Sequence, residues 1–247
     1  MGERKRVMKG FPLTDPEVFV IDALHREDYN AKRADGEVLS KHLHLMGMQK
    51  KYYLVHGKSE FKQAIADFKA SRCRFLHVSC HGESNTNVLD IGDEAVNYEE
   101  LAMLLKGCLT GKRVAFSACY LGNDRLARKL FDKNKGMHSF MAFTHAIPFD
   151  LASSFWIAYY TLAIRAANAK KNHTGNPTLK TAMIAACVEK LCNLFGVSIN
   201  FSWSSPSPRV RKFFYNEFRC GWWKKLGASD FDGDYIPYSK NHLKSTS

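Results

Sequence analysis

Two stretches of this chain could do chemistry together. RVAFSACYLG, residues 113–122, is a short apolar run that ends in Cys119, turns, and leads into a helical pattern starting near Asp124. FLHVSCHG, residues 75–82, has the same design and puts His81 at its end. A strand that delivers a cysteine to a helix N-terminus favours the thiolate, because that helix end carries positive partial charge. A histidine at the matching end of the preceding strand would stabilise the thiolate and protonate a leaving amine. Gly82 allows close approach of backbone, so its N–H and that of Cys119 form a candidate oxyanion hole. The chemistry implied is nucleophilic attack on a peptide carbonyl.

These residues need a scaffold, and the pattern supplies one. Short apolar runs at residues 17–23, 52–55, 74–79, 113–118, 139–147 and 196–203 read as six strands. Helical spacing covers 36–46, 98–105, 124–134 and 150–167. It also covers 59–70, with Ser59 as N-cap, and 177–194, opened by Pro177. Residues 88–96 read as a hairpin turning at Gly92-Asp93, and 24–35 as a polar loop. Strand–helix alternation with near-continuous apolar strands predicts an α/β three-layer sandwich: a mainly parallel six-stranded sheet with helices on both faces. In such sheets function gathers at the carboxyl ends of the strands. His81 and Cys119 both fall there, and neighbouring strands ~4.8 Å apart would let them meet in one crevice.

Composition narrows the class. A chain of 247 residues with 45% hydrophobic content can bury a sizeable core as one α/β domain. We place that domain at 1–204 and a basic, aromatic extension at 205–247, docked on it through its aromatics. The longest apolar segment, residues 151–164, is too short to span a membrane. The opening MGERKRVMKG has no apolar stretch behind it, and Arg6 stands where myristoylation prefers a hydroxyl. The expectation is a cytoplasmic protein. The seven cysteines, an odd number without a CxxC pair, fit reduced structural thiols. A zinc set of Cys73, His77, Cys80 and His81 is disfavoured, because Cys80 points to the opposite strand face, and no metal or other cofactor is expected. The formal charge of +12 suggests an anionic partner. Arg209, Arg211, Lys212 and Lys224, interleaved with aromatics, are candidate nucleic-acid contacts.

The order and spacing of HVSCHG and VAFSACYLG resemble the paired motifs of the caspase-like cysteine peptidases, most closely their CHAT-domain branch. The similarity continues through SFMAFTHAIPFDLASSFWIAYYTL and covers residues 17–194. It implies a caspase-like sandwich and an endopeptidase with His81 and Cys119 as the catalytic pair. It also implies that loops after the first and fifth strands line the pocket for the residue before the cut bond. Asp22, Ser117, His145 and Asp150 are the candidates for that pocket, with Asp22 and Asp150 available to receive a basic side chain or to cap helices. Relatives specific for Arg or Lys often carry Asp two residues before the cysteine, where this chain has Ser117. Helical repeats, common in CHAT chains, are absent from this sequence, which implies a separate activating protein.

Two other readings compete. CYLGNDR, residues 119–125, fits the C-x₂-G-x₂-R of a cysteine-dependent phosphatase, whose loop amides and Arg125 would cradle phosphate. Asp124 inside that loop and Ala118 in place of the usual histidine argue against it. A catalytically inactive module that binds partners through the same crevice keeps the fold without the chemistry. His77 reads as a core histidine. The acidic run 230–234 lacks the twelfth-position Glu of a calcium loop, Asn241 standing there instead.

Overall fold

Strand β1 (Val18–Ala23) is buried along its whole length, as its apolar run requires of a strand covered on both faces. The chain is described here from a computed structural model over residues 17–84, 86–169, 181–204 and 213–218. After β1 come α1 (Arg26–Asn30), α2 (Asp35–Leu45), β2 (Tyr52–Leu54), α3 (Lys58–Ala70) and β3 (Phe75–Gly82). A hairpin of β4 (Val88–Ile91) and β5 (Glu94–Asn97) leads to α4 (Tyr98–Leu104), β6 (Arg113–Ser117), α5 (Asp124–Lys133) and β7 (Ser139–Phe143). Helices α6 (Phe149–Ala169) and α7 (Thr181–Phe195) precede β8 (Ile199–Ser204) and β9 (Phe213–Phe218).

The main sheet runs β2-β1-β3-β6-β7-β8-β9. Pairing is parallel from β2 to β7, and β8 and β9 add antiparallel strands at the far edge. All six strands read from the sequence are present. β9, in the stretch assigned to the extension, makes a seventh. The other residues of 205–247 lie outside the described residues, including Arg209, Arg211, Lys212, Lys224 and the acidic run, as does Pro177.

Alternation of side chains divides the core into two layers. Phe19, Ile21, Leu76, Val78, Val114 and Phe116 pack with Phe61 and Ile65 of α3, Leu101 of α4 and Leu130 of α5. Val18, Val20, Phe75, Ala115 and Met141 pack with Leu39 of α2, Trp156 and Tyr160 of α6, and Val188 of α7. His77 belongs to this second layer: its Nδ1 lies 3.2 Å from the Tyr160 hydroxyl, and burial pushes its pKa down to about 3, so it is neutral.

Three local readings change. Helix α3 starts behind Gly57, not at a Ser59 cap, and the Lys58 amide donates to Glu94 Oε1 at 3.1 Å. The loop after β1 contains the short helix α1. β3 runs past Ser79, and its His81 and Gly82 pair antiparallel with Asp90 and Leu89 of β4. No helix among the described residues is long and apolar enough to cross a membrane.

Candidate active site

Register builds the site. Ser79 of β3 pairs with Ser117 of β6, and His81 and Cys119 each lie two residues further on. Alternation keeps His81 on the face that carries α2 and α6, while Cys119 lies in the turn beyond β6 with its Sγ 3.4 Å from the Ile147 amide. Gly82 follows at the point of closest approach. A Cβ there would collide with the Cys119 carbonyl oxygen, so only glycine lets the two strand ends lie this near.

The turn after Cys119 is tied down residue by residue. Tyr120 holds a left-handed conformation (φ 59°), a strain of roughly 1–3 kcal/mol that its surroundings must hold in place. Its amide donates to the His145 carbonyl at 3.3 Å, and the Gly122 amide to the Phe143 carbonyl at 2.7 Å. Asn123 donates from Nδ2 to the Tyr120 carbonyl and the Tyr98 hydroxyl, while its Oδ1 accepts the Leu126 amide as the cap of α5. The cysteine is therefore presented on a fixed turn.

The electrostatics of the thiol differ from the sequence reading. Burial pushes the Cys119 thiol above its ordinary value, with the Ile147 amide, 3.4 Å from Sγ, opposing the shift. Asn123 caps α5 by accepting the Leu126 amide, and Asp124 adds a carboxylate at that helix end. Deprotonation has to come from a base.

His81 is the base expected from the sequence, and its hydrogen-bond partner is a residue the sequence reading missed. Its Nε2 lies 2.7 Å from Asp28 Oδ2 in α1. Its ring lies against His25 at 4.5 Å between centroids and meets the Phe149 edge at 5.9 Å. The stretch 24–35 looks like a plain polar loop. The usable signal was its position: a carboxylate just beyond the carboxyl end of β1, at the same sheet end as His81. His25, Asp28 and His81 also offer ligand atoms within 4.8 Å of one another, the kind of group that can hold a metal.

Asp22, Ser79 and Ser117 form one row across three strands. Asp22 is fully buried and accepts the Gly36 and Glu37 amides at 3.1 and 2.8 Å and the Tyr52 hydroxyl at 2.9 Å. It anchors the start of α2 instead of pointing its carboxylate into an open pocket. Burial first, and then the neighbouring Asp35, push its pKa up to about 7. The Ser117 hydroxyl donates to Asp35 Oδ2 at 2.5 Å, so a carboxylate from α2 stands beside the position where the sequence lacks an acid. Burial raises Asp35 as well, opposed by Ser117 and Ser79.

His145, expected on the crevice rim, is buried and pushed down to about 4. Its carbonyl accepts the Tyr120 amide of the turn after Cys119. Asp150, exposed on α6, lines a cavity of about 270 Å³ with Asp35, Phe149, Lys32 and Arg33.

A phosphate cradle is absent from residues 119–125. The Tyr120 and Gly122 amides donate to the carbonyls of His145, just after β7, and Phe143, at its end, and Arg125 reaches outward to Asn87 Oδ1 at 3.4 Å. The phosphatase reading fails on that geometry.

No protein-family model matches the chain, and no curated protein matches it in sequence. Among solved structures, the inactive zymogen of a C11 protease from Parabacteroides distasonis superposes with a TM-score of 0.50 at 10% identity, covering 78% of this chain and 62% of that one. A secreted C11 cysteine protease from Bacteroides thetaiotaomicron, in complex with an irreversible peptide inhibitor, gives 0.45 at 13% identity, covering 76% and 66%. Caspase-1 from Spodoptera frugiperda gives 0.46 at 16%, covering 88% and 91%. The chain thus spans 62% and 66% of the two C11 chains. The fold is a caspase-like α/β sandwich, shared with the C11 protease zymogen.

Proposed function

We propose that this chain is a caspase-like cysteine endopeptidase of the CHAT type, acting in the cytoplasm on a protein substrate and switched on by a separate protein. The observation that carries the reading is the alignment of His81 and Cys119, two residues past the paired Ser79 and Ser117 on adjacent parallel strands. His81 takes the Cys119 proton, and the thiolate adds to the scissile carbonyl carbon. The Gly82 and Cys119 amides receive the oxyanion. The imidazolium returns its proton to the leaving amine as the C–N bond breaks, leaving a thioester. Water, deprotonated by His81, then adds to the thioester and releases the acid, and the proton returns to sulfur.

Asp28 orients the imidazole through Nε2, which leaves Nδ1 for the proton transfers. Ser117, Asp35 and Asp150 border the substrate pocket, Asp22 secures the helix beneath it, and the His145 carbonyl steadies the turn that presents sulfur. The raised thiol of Cys119 supports a resting state that a partner must convert.

Labelling with a panel of peptidyl electrophiles, with and without cell extract, tests the reading. Cys119 should be modified, and Cys119→Ala should lose both labelling and cleavage while keeping its circular dichroism. Cleavage retained in Cys119→Ala would sink the proposal. No labelling in either condition would leave a binding module on a peptidase fold.

A further inference from the structure

The contact between His25 and His81 is more than ring packing. Two imidazoles whose centroids lie 4.5 Å apart share one carboxylate neighbour, Asp28, and their ligand atoms and that of Asp28 all lie within 4.8 Å of one another. A second carboxylate, Asp90, sits 3.3 Å from His25 Nε2 and is also the strand partner of His81. All four side chains are partly exposed, so an ion could enter from solvent. Two histidines and a carboxylate, with further acceptors behind them, are the donor set of a zinc-class site.

We infer that a borderline-soft divalent cation, Zn²⁺ or a close analogue, binds at His25, Asp28 and His81 and holds the protein inactive. The inference rests on the peptidase reading only for its second half. The ion takes the place of the hydrogen between His81 Nε2 and Asp28. With metal bonds of about 2.1 Å in tetrahedral array, the N···O separation opens from 2.7 Å to roughly 3.4 Å. Binding through Nε2 moves the ring proton to Nδ1, with no net change in protons. Nδ1 then carries hydrogen and can no longer accept the Cys119 proton. Asp28 thus has two exclusive roles: orienting the base, or helping to hold the metal that blocks it. The sulfur takes no part, which separates this site from one made by His81 and Cys119 together.

Co²⁺ titration of the full chain tests this, read by its visible d–d absorption and by Zn²⁺ competition against a chelating dye. The expected result is one ion per chain, a tetrahedral spectrum without a thiolate charge-transfer band, and unchanged binding in Cys119→Ala. His25→Ala, and His25→Gln as a gentler second variant, should weaken binding about tenfold or more, and Asp28→Ala likewise. Zn²⁺ should slow peptidyl labelling of Cys119 in the wild type and much less in His25→Gln. Wild-type affinity in the His25 variants, or loss of the metal in Cys119→Ala, overturns the inference. If Co²⁺ binds as described while Cys119 resists every electrophile in chelator, the metal site stands and the peptidase reading falls.

Discussion

Asp28 Oδ2 lies 2.7 Å from Nε2 of His81, so a residue of the first connection in the fold holds an imidazole at the end of the third strand. A bond of this kind selects tautomer and orientation together. Asp28→Asn should lower kcat for peptide cleavage by about 100-fold or more with little change in KM, and Asp28→Glu should restore part of it. Equal loss in both variants would assign Asp28 a purely structural part.

The resting state of the nucleophile is open to direct measurement. Because burial raises Cys119 above its ordinary 9.0, alkylation by iodoacetamide in the free protein should still be accelerating with pH at that value. A titration midpoint below 7 would show a preformed thiolate and contradict the environment described.

Asp22 makes stability depend on pH in an unusual direction. Its folded pKa of about 7 exceeds the ordinary 3.8, so between those values the folded chain keeps a proton that the unfolded chain has released. Its contribution is fully present below about pH 4 and is lost as pH rises to about 7, by roughly 4 kcal/mol. In Asp22→Asn the urea midpoint should lose this downward slope. An identical slope in the variant would exclude Asp22 as its source.

Gly82→Ala should cost about 1–3 kcal/mol, the usual penalty of overpacking, because the new Cβ meets backbone and not a movable side chain. Peptidyl labelling of Cys119 should fall with it. A variant as stable and reactive as wild type would mean the strand ends lie further apart.

Much of this was legible in the residues. The apolar runs marked the six expected strands, Gly92-Asp93 marked the hairpin turn, and the paired motifs put His81 and Cys119 at one end of the sheet. Spacing along a chain cannot show which side chain crosses the crevice from another connection. Asp28 and Asp35 were therefore hidden in what read as a polar loop, although one orients the histidine and the other answers Ser117. The raised thiol of Cys119 was hidden for a related reason: it comes from burial, which the spacing of residues around the cysteine does not show.

Both bonds across the crevice, Asp28 to His81 and Asp35 to Ser117, start from the connection after β1 and the first residue of α2, into which it runs. The turn that carries the sulfur is fastened elsewhere, to β7 and the residues just after it. The site is thus assembled from two independently held halves. Drawing the β1–α2 connection aside, by a cut or by a bound protein, would release base and pocket in one movement and leave the nucleophile where it stands.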